Sequence, residues 1–184
     1  MIGAPVRFGA MPEFELQFPI ERVRDYAARY AYEDDVEVIA IGQAARERGY
    51  YTRDEFVAVC RWKTPRSAPL VELNSAESIE AATRVALSES STERERMDAL
   101  RSLQGVDWAT ASVLLHLAYP ECYPILDKRA LQALGVRPPA AYSFRFWEAY
   151  TEASVSLAEL AGVDGRTFDQ GLWQWSKEHG VALY

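Results

Sequence analysis

The sequence predicts an all-helical domain, and three observations lead to that class. An apolar period near 3.6 residues sets in at Pro19, glycines and prolines punctuate the periodic stretches, and three pairs have capping-box spacing. The pairs are Thr52 with Glu55, Asn74 with Glu77 and Thr92 with Glu95. In such a pair each side chain satisfies a free amide of a helix's first turn, and an apolar stripe follows.

Taken in order, residues 1–18 hold glycine and proline and then the alternating Phe14, Leu16 and Phe18, the pattern of a short extended arm appended to the domain. Residues 19–184 form the single helical domain. Ile20, Val23, Tyr26, Ala27 and Tyr30 share one helical face, and a second helix spans Asp35 to Arg48. The helix capped at Thr52 buries Phe56, Val59 and Cys60 and ends near Trp62 and Lys63, before Pro65. The helix capped at Asn74 buries Ile79, Ala82, Val85 and Ala86, and the one capped at Thr92 buries Met97, Leu100 and Leu103. Gly105 stops that fifth helix, Ala111 to Tyr119 forms the next, and a short helix runs from Asp127 to Leu134. Pro138 and Pro139 make a break, after which Phe144 to Leu160 and Thr167 to Lys177 close the fold with Phe146, Tyr150, Leu157, Leu172 and Trp175 as core.

At 184 residues, 49% of them hydrophobic, the chain can bury one substantial core. Its net charge of -7 and pI near 5.0 exclude a protein that coats nucleic acid through its overall field, so any DNA site is a local basic patch on an acidic body. Two cysteines, Cys60 and Cys122, are too few and too isolated for a metal knuckle, an iron–sulfur cluster or a disulfide framework. Both are expected in the core of a protein from a reducing compartment, with no metal. The first residues lack the basic and apolar regions of a secretion signal, and no apolar span is long enough for a membrane, so the expectation is a cytoplasmic protein with no membrane partner.

The most informative stretch is residues 103–134. A helix ending at a glycine, a tight turn and a second helix opening with small residues can turn free backbone amides outward to hold a phosphate. Such a hairpin is read here over residues 95–119. Leu103, Gly105, Val106, Thr110 and Ala111 match the hairpin consensus of the helix-hairpin-helix DNA glycosylases, and Tyr123-Pro124-Ile125-Leu126-Asp127 resembles the segment that carries their essential aspartate. The spacing from Thr110 to Asp127 is also similar to that family's. The resemblance implies a glycosylase-like helical bundle in which the hairpin, Gly105, Val106, Asp107, Trp108, Ala109 and Thr110, grips the DNA backbone. In that family a monovalent cation held by main-chain carbonyls often assists the grip, and no other cofactor is implied. The aspartate faces the flipped nucleotide, activating water or stabilising an oxocarbenium-like sugar. Bifunctional members carry a nucleophilic lysine where this chain has Ala109, so the resemblance implies a monofunctional enzyme without lyase chemistry. Asp107 replaces the second hairpin glycine and puts an anion where a phosphate would approach.

Read from the residues alone, Asp127 is an N-cap for the helix that follows, a role worth about 1 kcal/mol and compatible with a catalytic one. Lys128 and Arg129 are adjacent cations that suit either a phosphate or solvent. Arg61, Trp62, Lys63 and Arg66 form the densest basic cluster, either complementing a helix dipole or making a cationic, aromatic pocket rim for an extruded base, with Asn74 facing the same cleft or capping its helix. Arg166, Asp169, Trp173 and Trp175 gather on the last helix, where Arg166 and Asp169 have ion-pair spacing. His116 reads as a packed residue and His179 as a surface one. Three functions stay open: a DNA-repair-type N-glycosylase using Asp127, a non-catalytic helix-hairpin-helix module that binds DNA or protein, or a different small-molecule or nucleotide activity using Trp62, Lys63, Arg66 and Asp127 in one cleft. Oligomeric state and the lesion base are not encoded in any motif.

Overall fold

Residues 12–31 and 35–180 are described by the computed structural model, so residues 1–11 of the arm lie outside it. Among the described residues there are ten α-helices and no strand. They are α1 (Val23–Ala27), α2 (Asp35–Arg48), α3 (Arg53–Lys63), α4 (Ala68–Val71), α5 (Ala76–Leu87), α6 (Glu93–Arg101), α7 (Trp108–Ala118), α8 (Lys128–Ala133), α9 (Phe144–Ala161) and α10 (Gly165–His179). No helix among these residues is long and apolar enough to cross a membrane.

α7 is the axis of the molecule. Its sequence WATASVLLHLA is apolar nearly all round, and every residue from Thr110 to Ala118 is buried. α2, α3, α5 and α6 pack around it, whereas α10 packs against α1, α8 and α9. Gly42 lets α2 approach closely: a β-carbon there would stand 2.1 Å from the Leu117 carbonyl oxygen of α7.

Two predicted capping boxes close as expected. Thr52 and Thr92 accept from the amides of Glu55 and Glu95, whose carboxylates accept in return from the Thr52 and Thr92 amides at 2.9 and 2.7 Å. The third shifts by one residue, because Ser75, not Asn74, caps α5 by accepting from the Ser78 amide at 3.2 Å. Asp107 caps α7 and moves its start three residues ahead of the predicted Ala111. The first helix is shorter than its periodicity suggests, a 3-10 turn over Ile20–Arg22 followed by α1. Pro65 opens a second 3-10 turn and Pro69 sits in the first turn of α4, positions where a missing amide costs a helix nothing.

Two residues assigned to the core face outward instead. Val85 is 42% exposed and Cys122 is exposed, while Cys60 is buried. The described part of the arm is more than an appendage. Its residues alternate between inside and outside, the amides of Glu15 and Gln17 donate to the carbonyls of Leu134 and Ala133 at 3.0 and 2.9 Å, and Phe14 meets the rings of Phe146 and Tyr150.

His116 lies within α7, 1% exposed, with Nδ1 2.7 Å from the Tyr123 carbonyl oxygen. A carbonyl only accepts, so Nδ1 carries the proton, and Nε2 is buried without a partner. Burial, only partly opposed by that hydrogen bond, lowers the imidazole pKa from 6.5 to about 4. Between these values the unfolded chain takes up a proton that the folded chain refuses. Stability from this group is therefore full above pH 6.5 and falls by roughly 3 kcal/mol as the pH drops to 4. Urea denaturation across this window is expected to show the loss, and the stability gap between wild type and His116→Gln should narrow as the pH falls.

Candidate functional site

Asp127 owes its place to three side chains that fasten the preceding segment to the core. His116 holds the Tyr123 carbonyl, Ser112 Oγ accepts from the Leu126 amide at 2.9 Å, and Tyr150 donates to the Ile125 carbonyl at 2.6 Å. Tyr123, Ile125 and Leu126 are themselves buried, so the chain emerges from the core directly at Asp127. Its Oδ1 accepts from the Ala130 amide at 2.8 Å and caps α8. Its Oδ2 meets Lys63 Nζ at 3.2 Å, with side-chain exposures of 19% and 14%. The pair joins the C-terminal end of α3 to the N-terminal end of α8, where each charge complements its helix dipole.

This pair borders a cleft of about 610 Å³, the size of a small-molecule or nucleotide site. Trp62, Lys63 and Arg66 line one side, and Lys128, Arg129 and Trp173 also line it. The Arg129 guanidinium stands 4.7 Å from the centre of the Trp173 ring, and Lys177 Nζ stands 5.4 Å from it. Arg61 turns away from this cluster to pair with Glu72.

Deeper in the cleft, Arg166 pairs with two buried carboxylates, Asp35 and Asp169, the latter at 2.6 Å. The Tyr30 hydroxyl is 3.5 Å from both Asp35 Oδ1 and the Arg166 guanidinium. One guanidinium cannot neutralise two carboxylates. Burial raises the Asp169 pKa to about 7, with Asp127 and Asp35 adding to the rise and Arg166 and Lys63 opposing it.

The hairpin turn does not line the cleft. Gly105 has φ of +78°, the left-handed conformation that favours glycine, and a β-carbon there would stand 2.8 Å from Val71 Cγ2. Asn74 is 7% exposed and does not face the cleft either. Its side-chain oxygen accepts from the Gln104 amide at 2.8 Å, and its nitrogen donates to the carbonyls of Gln104 and Val71 at 2.9 and 2.8 Å. It clamps the turn that α4 also buttresses. Asp107 is exposed and accepts from the Thr110 amide at 2.9 Å, so a fixed anion already occupies this helix end. Val106, Trp108 and Thr110 are buried and Ala109 partly so, with the Arg101 guanidinium 4.0 Å from the Trp108 ring centre.

Asp127, Trp62, Lys63, Arg66, Lys128 and Arg129 thus come together, whereas Asn74 and the hairpin residues stand apart from them. Sequence reasoning missed Asp35 and Tyr30, and it saw Arg166, Asp169 and Trp173 as a local cluster without connecting them to Asp127. The half-buried Tyr142 does not line the cleft, and its phenol pKa is pushed upward by burial and then by the charges of Asp127 and Asp107. Comparison with family models, curated proteins and solved structures gives no match for this chain.

The clamp at Asn74 is separable from the cleft. Asn74→Ala is expected to cost about 1–2 kcal/mol through the lost side-chain hydrogen bonds, a fall in Tm of roughly 3–6 °C by calorimetry. A fall of less than a degree would show that solvent replaces the clamp.

Proposed function

We propose that the protein is a DNA-repair-type, monofunctional N-glycosylase-like enzyme that takes a flipped nucleotide into the Asp127 cleft. The observation that carries this reading is the Lys63–Asp127 pair, anchored at two helix ends and bordering a cavity lined by tryptophan and cationic side chains. In this reading Asp127 faces the sugar, where a fixed carboxylate stabilises positive charge developing at C1′ and accepts a proton from the attacking water. Lys63 orients that carboxylate. Arg66, Lys128 and Arg129 meet the phosphates that flank the extruded nucleotide, and Trp62 offers a ring to its base. The absence of a hairpin lysine at Ala109 favours base release without strand cleavage by the family's usual route.

Asp107 favours the other reading, a helix-hairpin-helix module that binds DNA or protein without catalysis, because its carboxylate stands at the helix end where the hairpin of a DNA-acting enzyme would meet a phosphate. Catalysis separates the two. With duplexes carrying single modified bases at low salt, the enzyme reading expects base release without backbone scission. Asp127→Asn is expected to lower the single-turnover rate at least about 100-fold while leaving affinity within a few-fold, because asparagine retains the cap on α8. Binding without release from any substrate would favour the module. No binding at all would remove DNA from the account.

A further inference from the structure

The cleft holds more acid than the Asp127 mechanism uses. Three carboxylates, Asp35, Asp127 and Asp169, line it together with Lys63 and Arg166, while Arg66, Lys128 and Arg129 stand at the same cavity. The environments of Asp127 and Asp169 differ in kind. Asp127 is tied through one oxygen to a helix N-terminus and through the other to an ammonium group. Asp169 is buried and has Arg166 as its hydrogen-bonded partner through a single oxygen, and Arg166 is shared with Asp35.

Charge counting gives the consequence. At the buried end one guanidinium faces two carboxylates, so one negative charge is left over in a place that solvates ions poorly. A proton is the cheapest way to remove it. Two carboxyl groups on one cavity, one placed as an anion and one as an acid, is the arrangement by which enzymes cleave glycosidic bonds in general.

Building on the proposed glycosidase reading, we propose that Asp169 donates the proton that leaves with the base, which makes the site one for uncharged bases. As the C1′–N bond breaks, its electron pair passes to the base, and the Asp169 proton goes to a basic atom of the base ring system. Water adds to C1′ and yields its proton to Asp127. The two carboxyl groups then return to their starting states by exchanging one proton with solvent, so the reaction is a hydrolysis with no other reactant. A base that already carries a positive charge needs no such proton. Uncharged bases therefore depend on Asp169 and cationic ones do not.

The raised pKa of Asp169, about 7, agrees with this role and sets the sign of the pH dependence. The charged and titratable groups facing it are Arg166 on its own helix, Asp35 from α2, Tyr30 from the segment after α1, Lys63 from α3, Asp127 ahead of α8 and Tyr150 from α9. Below that value the acid holds its proton. Above it the rate for an uncharged base falls.

The experiment measures single-turnover release from duplexes carrying hypoxanthine, adenine, uracil or 8-oxoguanine as uncharged bases and 7-methylguanine as the cationic one, between pH 5.5 and 9. For the unaltered protein, release of the best uncharged base is expected to drop about tenfold per pH unit above about 7, and 7-methylguanine, which is cationic only until it loses its own N1 proton near neutrality, is compared at the acid end of the range, where its release is flat. Asp169→Asn, which keeps an acceptor for Arg166, is expected to slow the uncharged base at least about 100-fold, remove the alkaline fall and leave 7-methylguanine within about threefold. Equal loss on both kinds of base, an unchanged profile in the variant, or release of 7-methylguanine alone would overturn the role of Asp169 and leave the glycosidase reading standing. Release of no base by the unaltered protein overturns both. If Asp169→Asn does not fold, the profile of the uncharged base on the unaltered protein still decides, because a rate that stays level from about pH 7 to 9 overturns the role of Asp169.

Discussion

The geometry of this protein depends on the fastening of residues 123–126 to the central helix. Backbone groups that leave a core must find partners or stay hydrated, and this segment crosses the core without a helix or a ladder of its own. Three side chains supply what regular structure would. His116 and Ser112, both on α7, and Tyr150, on α9, take successive backbone groups of one short stretch. Each bond is modest alone, but together they leave Asp127 little freedom, because it follows the last fastened residue and caps the next helix. The neutrality of His116 belongs to the same constraint. An imidazolium there would put an unpaired charge in the core, so the fold and the position of the carboxylate share one protonation state.

Much of the fold was legible in the sequence because its helices announce their own starts. Thr52 and Thr92 carry complete capping boxes, and the predicted span of α2 coincides with the observed one, since these signals are local and do not depend on distant contacts. The misreadings come from contacts that are not local. Asn74 and Ser75 are neighbouring cap-forming residues, and the choice between them is made by Gln104, 30 positions away, whose backbone takes the asparagine amide. Nothing near residue 74 carries that information. The packing of the arm against α8 and α9 is invisible for the same reason.

The site was legible in pieces. Trp62, Lys63 and Arg66 stood out as cations in an acidic chain, Asp127 as a carboxylate before a helix, and Arg166 with Asp169 as a spaced pair. What joined them was the path of the chain: α3, the segment before α8 and α10 converge on one cavity from three separate parts of the sequence. Asp35 and Tyr30 gave no signal at all, because an acidic residue at the first turn of a helix and a tyrosine after one are ordinary surface chemistry until Arg166 arrives between them.

The hairpin and the cleft divide the electrostatics in a way that bears on how DNA could be held. On an acidic body, attraction for phosphate has to come from where cations are concentrated, and the turn is not that place: Asp107 already satisfies its helix end. The cations collect instead around the cavity, with Arg66, Lys128 and Arg129 beside Lys63. In the proposed reading the grip therefore lies close to the chemistry, and the nucleotide is held mainly by the phosphates next to it. An arrangement of this kind suits a base that is already unpaired or weakly stacked, since few remote contacts are left to offset the cost of extrusion.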